Sequence, residues 1–199
     1  SDLYGEGRLV YAIGDPDSGD QNDFLVWFSP SPNGQLLAIG LCQDGSENNT
    51  IQLIEVSTGK TLPDAPQKLL MDGLSGGVCW LPDSSGFYFS ALVGDPLDFI
   101  QRVFFHHCLS ARQTQVDVPL PNPYSRDYVA IDVSPDGRYR VAYEGLTIMR
   151  PIALQDVQSS GDDWVPFITQ VNGSVIGQFL NDHLIAVTDV GAPRGRVVL

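Results

Sequence analysis

The one stretch with the spacing of a hydrolytic nucleophile is Gly73-Leu74-Ser75-Gly76-Gly77, a Gly-x-Ser-x-Gly pattern. In a nucleophile elbow that pattern turns a strand sharply into a helix, which exposes the serine and lets backbone N–H groups hold an oxyanion. Here Val78-Cys79-Trp80 and a Pro-Asp turn follow, which reads as strand and hairpin. Ser75 is therefore expected in a connection between sheets. A triad would also need an acid and then a histidine in chain order, and the histidines are His106, His107 and His183. His106 and His107 are adjacent in a strand-like run, so they point to opposite faces and cannot converge on one metal. His183 follows the turn at Asp182 and reads as the start of a strand.

The acidic stretch Asp15-Pro16-Asp17-Ser18-Gly19-Asp20-Gln21-Asn22-Asp23 has oxygen ligands of the kind calcium takes. Its glycine falls before the third acidic position, unlike an EF-hand, and no flanking helices are evident, so a solvated loop is expected. Asp162-Asp163 reads likewise. Cys42, Cys79 and Cys108 are odd in number, lack Cys-x-x-Cys spacing and sit in apolar strand-like stretches, which predicts buried free thiols. No metal and no cofactor are expected.

With 199 residues, 43% hydrophobic and 18% charged, the chain can bury a real core. A formal net charge of −13 with 11 Lys and Arg excludes nucleic acid and anionic membrane as natural partners, because both need clustered cations. No uncharged apolar run approaches the roughly 18 residues of a membrane span. The expected compartment is the cytoplasm.

What positions these residues is a repeat. An apolar strand runs into a Ser/Leu-Pro-Asn/Asp turn with glycine, and a second apolar strand follows. The instances are Phe24 to Phe28, Ser31-Pro32-Asn33-Gly34 and Leu36 to Leu41; Gly77 to Trp80, Leu81-Pro82-Asp83-Ser84-Ser85-Gly86 and Phe87 to Leu92; and Tyr128 to Val133, Ser134-Pro135-Asp136-Gly137 and Tyr139 to Glu144. Proline presets φ, Asn or Asp bonds back to nearby backbone, and glycine is expected to take positive φ at 34, 86 and 137. Asn33, Asp83 and Asp136 should therefore be equivalent. Two further strand-like runs separate successive hairpins, Thr50 to Val56 with Lys68 to Met71, and Gln101 to Cys108 with Thr114 to Val118. Four strands per roughly 50 residues is the anatomy of a propeller blade.

The expectation is an all-β array of four-stranded antiparallel propeller blades, near 24–71, 77–118, 128–168 and 175–199, with a lone strand from Arg8 to Ile13. The fourth copy stops after its third strand. Trp27, Phe28, Trp80, Phe87, Phe89, Tyr139 and Tyr143 are expected to pack between blades. An open arc would leave apolar faces at both ends, whereas pairing of Arg8 to Ile13 beside Arg196 to Leu199 would close it.

Ser31-Pro-Asn-Gly-Gln-Leu-Leu-Ala-Ile-Gly followed by Gly45-Ser46 and Thr50-Ile51, then Val78-Cys-Trp-Leu-Pro-Asp-Ser-Ser-Gly-Phe-Tyr-Phe-Ser, Val133-Ser-Pro-Asp-Gly-Arg-Tyr and Ala192-Pro-Arg-Gly-Arg-Val resemble the N-terminal propeller of the prolyl oligopeptidase family of serine peptidases. The resemblance implies part of a seven-bladed propeller that caps an α/β-hydrolase domain and limits access to short peptides. The hydrolase would be a separate partner, with further blades or self-association covering the open ends. Glu47, after Gly45-Ser46, matches a position where the family often carries Asp at the rim of the cavity. At Tyr143, just before Glu144-Gly145, the family's peptidases place a substrate-contacting Arg, so this chain departs from the pattern there. Glu47, Tyr143 and Glu144 are the substrate-rim candidates. A stand-alone propeller serving as a binding or scaffold module is the alternative, because fold alone implies no chemistry.

The isolated chain should neither hydrolyse a chromogenic proline peptide nor react with a fluorophosphonate. Labelling that disappears in Ser75→Ala would overturn this reading of the Gly-x-Ser-x-Gly stretch.

Overall fold

The computed structural model describes residues 7–13, 23–43, 48–66, 69–71, 77–95, 98–108, 115–120, 128–145, 148–159 and 163–199. Four antiparallel sheets follow one another along the chain, and among the described residues there is no helix. The first blade holds β1 (Asp23–Pro30), β2 (Leu36–Gln43) and β3 (Asn48–Glu55). Its outer edge is shared by β4 (Lys60–Leu62), on one half of β3, and β5 (Leu69–Met71), on the other. The second blade holds β6 (Cys79–Trp80), β7 (Gly86–Asp95), β8 (Asp98–His107) and β9 (Gln115–Asp117). The third holds β10 (Val129–Val133), β11 (Tyr139–Glu144), β12 (Arg150–Asp156) and β13 (Val165–Pro166). The fourth holds β14 (Val175–Leu180), β15 (His183–Thr188) and β16 (Arg196–Val198).

Successive side chains of a strand point to opposite faces, so a middle strand covered on both sides must be apolar throughout. β2 shows this: Ala38 joins Trp27, Phe87 and Phe89 between the first and second blades, while Ile39 and Leu41 pack with Ile54 on the opposite face. Tyr88, Val103, Val129, Ile131 and Ala142 fill the seam between the second and third blades. A close fit is made at Trp27, beside a bulge between Leu25 and Trp27. Its indole lies against Gly40 and Gly77, where any Cβ would overlap the ring, and its N–H donates to Asn49 Oδ1 at 3.0 Å.

The three Pro turns carry matching hydrogen bonds. Gly34, Ser84 and Gly137 each donate N–H to the carbonyl three residues back, at 2.8, 2.9 and 2.8 Å. Asn33, Asp83 and Asp136 each accept from the amide two residues on, at 3.0, 2.9 and 3.0 Å. Their equivalence is as the repeat requires. The glycine assignment differs in the second blade: the positive-φ position is Ser84 (φ 62), matching Gly34 (φ 70) and Gly137 (φ 75). Gly86 is already in β7 and is needed for space, since a Cβ there would run into the His106 carbonyl and the Phe105 ring. Ser84 also links blades, its Oγ accepting from the Asn33 N–H at 3.1 Å.

Residues 7–13 carry no ladder hydrogen bonds, so the expected lone strand is absent from the described chain and does not pair with β16. They lie instead on the first blade. Arg8 donates to the carbonyls of Val56 and Ser57 at 2.6 and 3.1 Å, and Val10, Tyr11 and Ile13 cover Ile39, Leu41 and Ile54. Most of the expected aromatic core is at least half-buried, but Phe28 is 65% exposed. It pairs with Ile39 on the face turned away from the second blade, and that cover does not enclose it. At the other end, Ile176, Val187 and Val197 stand opposite one another across three strands and are all exposed. The sheets do not close into a ring.

Gly137→Ala should cost about 1–2 kcal/mol through the left-handed backbone it forces on a side chain, and Gly137→Asn should recover much of that because Asn tolerates αL. Gly86→Ala should cost about 1–3 kcal/mol through overpacking, with no recovery in Gly86→Asn. Urea denaturation of the four variants checks this, and recovery at Gly86 would refute the assignment.

Candidate functional site

Each inner strand runs toward the Pro turns and each second strand runs back, so β2, β7 and β11 all end at the side of the array opposite those turns. The described ends of these strands, Gln43, Asp95 and Glu144, stand on that side. Of the rim candidates, Tyr143 and Glu144 close β11. Glu47 lies outside the described residues, between β2 and β3. Glu144 is half-buried at the end of β11 and accepts from Arg150 at 3.1 Å, directly across the strand pair.

Tyr143 is only 4% exposed. Its ring reaches toward the fourth blade, and its hydroxyl lies 3.0 Å from where a Cβ on Gly177 would stand. Burial, with the Asp132 carboxylate second, holds its phenol well above the ordinary range, so it is neutral at physiological pH. The inner strand of the third blade is gripped from the second: Gln101 Oε1 accepts from the Val129 N–H at 3.4 Å, and Ser90 donates its hydroxyl to the Val129 carbonyl. Trp80 does the same one seam earlier, donating its indole N–H to the Ser29 carbonyl at 3.3 Å. These groups answer the unpaired edge of an inner strand, which a sheet cannot satisfy by itself.

The other candidates stay apart. Ser75 lies outside the described residues, and Gly77, the last residue of its motif, leads into β6 instead of a helix. His106 is fully buried against the Phe87 ring (centroids 4.9 Å), while His107 sits edge-on to Phe105 on the opposite face. His183 is on the fourth blade beside Asp182, 2.5 Å away. Among the described residues no three His, Cys, Asp or Glu side chains gather as a metal site. Cys42, Cys79 and Cys108 are free, and burial pushes the Cys79 and Cys108 thiols up to about 12, which leaves them unreactive at neutral pH. The acidic stretch from Asp15 is described only from Asp23 onward.

The model of the prolyl oligopeptidase N-terminal β-propeller domain matches residues 18–199. The chain belongs to the prolyl oligopeptidase family. Prolyl endopeptidases of Elizabethkingia meningoseptica and Elizabethkingia miricola are 28% and 27% identical over 183 residues, covering 87% of this chain and 25% of theirs. The chain thus spans about a quarter of the length of the curated relatives it matches. A solved prolyl endopeptidase superposes with a TM-score of 0.70 at 21% identity over 88% of this chain and 26% of that one. Prolyl oligopeptidase B of Galerina marginata, solved with a 25mer macrocyclization substrate, gives 0.71 at 16% identity over 90% and 28%. The last two show likeness of fold.

Two features of this family member escaped the sequence reading. Glu55 and Asp156 end the third strands of their blades, and each accepts from a hydroxyl three residues on, Thr58 at 2.5 Å and Ser159 at 2.7 Å. Glu55-x-x-Thr58 and Asp156-x-x-Ser159 were the readable signal. Arg138 and Ser159 hold the Asp156 carboxyl far below its usual range. The second feature is Asp132, a carboxylate inside the apolar β10, visible as the one acid in that strand.

Tyr143→Ala should destabilise by about 3–5 kcal/mol, the cost of removing a buried ring. Tyr143→Phe should change little, and Glu144→Gln should cost less than about 1 kcal/mol because the pair is partly solvated. Thermal unfolding ranks the three. A larger loss from Glu144→Gln than from Tyr143→Ala would contradict the packing described.

Proposed function

We propose that this chain works as part of the propeller of a prolyl oligopeptidase-type serine peptidase, restricting which peptides reach a separate hydrolase domain. The match of residues 18–199 to the N-terminal propeller domain carries this reading. The chemistry of the chain supports it: its described histidines are dispersed over two blades, and the strand edges that face inward are secured by side chains of neighbouring blades. An array whose second strands all end on one side suits a filter placed over a catalytic centre. The rim groups in this reading are Glu47, Tyr143 and Glu144. Buried Tyr143 acts through the position of the fourth blade, and Glu144, held by Arg150, presents a fixed carboxylate.

A chimera tests the proposal. Residues 18–199 replace the matched quarter of the Elizabethkingia meningoseptica prolyl endopeptidase, and fluorophosphonate labelling reports whether its hydrolase remains competent. The chimera should cleave a short proline peptide while sparing a denatured full-length protein. Equal cleavage of both, or a labelled chimera that cleaves neither, would defeat the gating role.

A further inference from the structure

A carboxylate stands on the face of the third blade that meets the fourth, and among the described residues no cation pairs with it. Asp132 is half-buried on β10 and pairs with Val141 of β11, while Ala130 pairs with Tyr143. Alternation puts Asp132, Ala130, Val141 and Tyr143 on one face, and that face meets the fourth blade where Tyr143 touches Gly177. Asp132 and Tyr143 are diagonal neighbours across the strand pair, within reach of long side chains.

Among the described residues, the groups that interact with Asp132 are neutral. From β6 comes the Cys79 thiol, and from β11 the Tyr143 phenol, each pushed further up by the Asp132 charge. From its own strand the Val133 N–H donates to Asp132 Oδ1 at 2.9 Å. β14, packed against this seam, contains no titratable side chain, and His183 of β15 is exposed beside Asp182. The arginines of adjoining strands are engaged elsewhere: Arg140 lies over the Tyr88 ring and donates to Gln155 at 2.7 Å, and Arg150 holds Glu144.

We propose that Asp132 is an acid-responsive latch, whose protonation tightens the docking of the fourth blade on the third. Desolvation raises its pKa above the ordinary aspartate range, with the Val133 amide opposing in part. The sign follows from linkage. A carboxyl raised on folding contributes most below its unfolded pKa, near pH 4, and loses that contribution as pH rises through its folded value. Asp83, Asp136 and Asp156 are shifted the other way by hydrogen bonds from Ser85, Ser134 and Arg138 respectively, so they keep their contribution until pH falls below that same range. Of these four carboxyls, Asp132 alone contributes more on acidification between these limits. If the gating role proposed above holds, peptide admission would become pH-dependent; the latch itself does not rest on it.

Amide hydrogen exchange of β14 and β15, corrected for intrinsic pH dependence, tests the latch in the chain without peptide. Protection should rise from pH 7 to pH 4.5 in the wild type, by up to roughly tenfold per unit of raised pKa. In Asp132→Asn it should be high at both pH values, and Tyr143→Phe should keep the wild-type response. The same pH course in wild type and Asp132→Asn overturns the proposal. So does an Asp132 carboxyl whose 13C titration midpoint in the wild type lies at the ordinary aspartate value, a measurement that stands even if the variant does not fold.

Discussion

A blade is a thin sheet with two apolar faces, and it is stable only when a neighbour lies on each. Everything else in this structure answers that requirement. Between the first and second blades, Trp27 fills the seam because Gly40 and Gly77 leave room for its indole, and Phe87, Phe89 and Ala38 complete the layer. The hydrophobic contribution scales with area removed from water, so it is the same demand at every seam. The outermost faces show the demand unmet or met differently. Val10, Tyr11 and Ile13 lie on the first blade, while the row of Ile176, Val187 and Val197 on the fourth stays exposed.

Stacking also fixes the chemistry of the array. Inner strands have an open edge, and the seams supply the missing partners, Gln101 and Ser90 for Val129 and Trp80 for the Ser29 carbonyl, while Ser84 does the same for the Asn33 amide in the first Pro turn. Polar groups held this way make each blade a reference frame for the next. The end of the array at Glu144 therefore inherits its geometry from packing several residues away. Tyr143 illustrates this, since its position beside Glu144 and its burial against Gly177 are consequences of one seam.

The carboxylates divide along the same line. Asp83 and Asp136 sit in solvated turns and Asp156 in the grip of Arg138, where hydrogen bonds favour the charged form. Asp132 is half-buried on the face of the third blade turned to the fourth, and burial penalises its charged form. One residue type thus stabilises the fold in opposite pH ranges according to whether it caps a turn or faces a seam.

The sequence by itself determined the blades, because turn chemistry and strand alternation are local. Ser31-Pro32-Asn33-Gly34 and its two counterparts must turn whatever surrounds them, and the alternation through His106-His107 must send those rings to opposite faces. Local reasoning failed where the deciding contact comes from another part of the chain. Gly86 was expected to serve φ and serves space instead, because the His106 carbonyl approaches it across the β7–β8 pair. Phe28 has the composition of a core residue but faces away from the adjoining blade, and Arg8 to Ile13 has the pattern of a strand but forms no ladder. The standing of Asp132 and the burial of Tyr143 are likewise tertiary outcomes. Desolvation depends on which surface a side chain meets, and that is set only when one blade lies on the next.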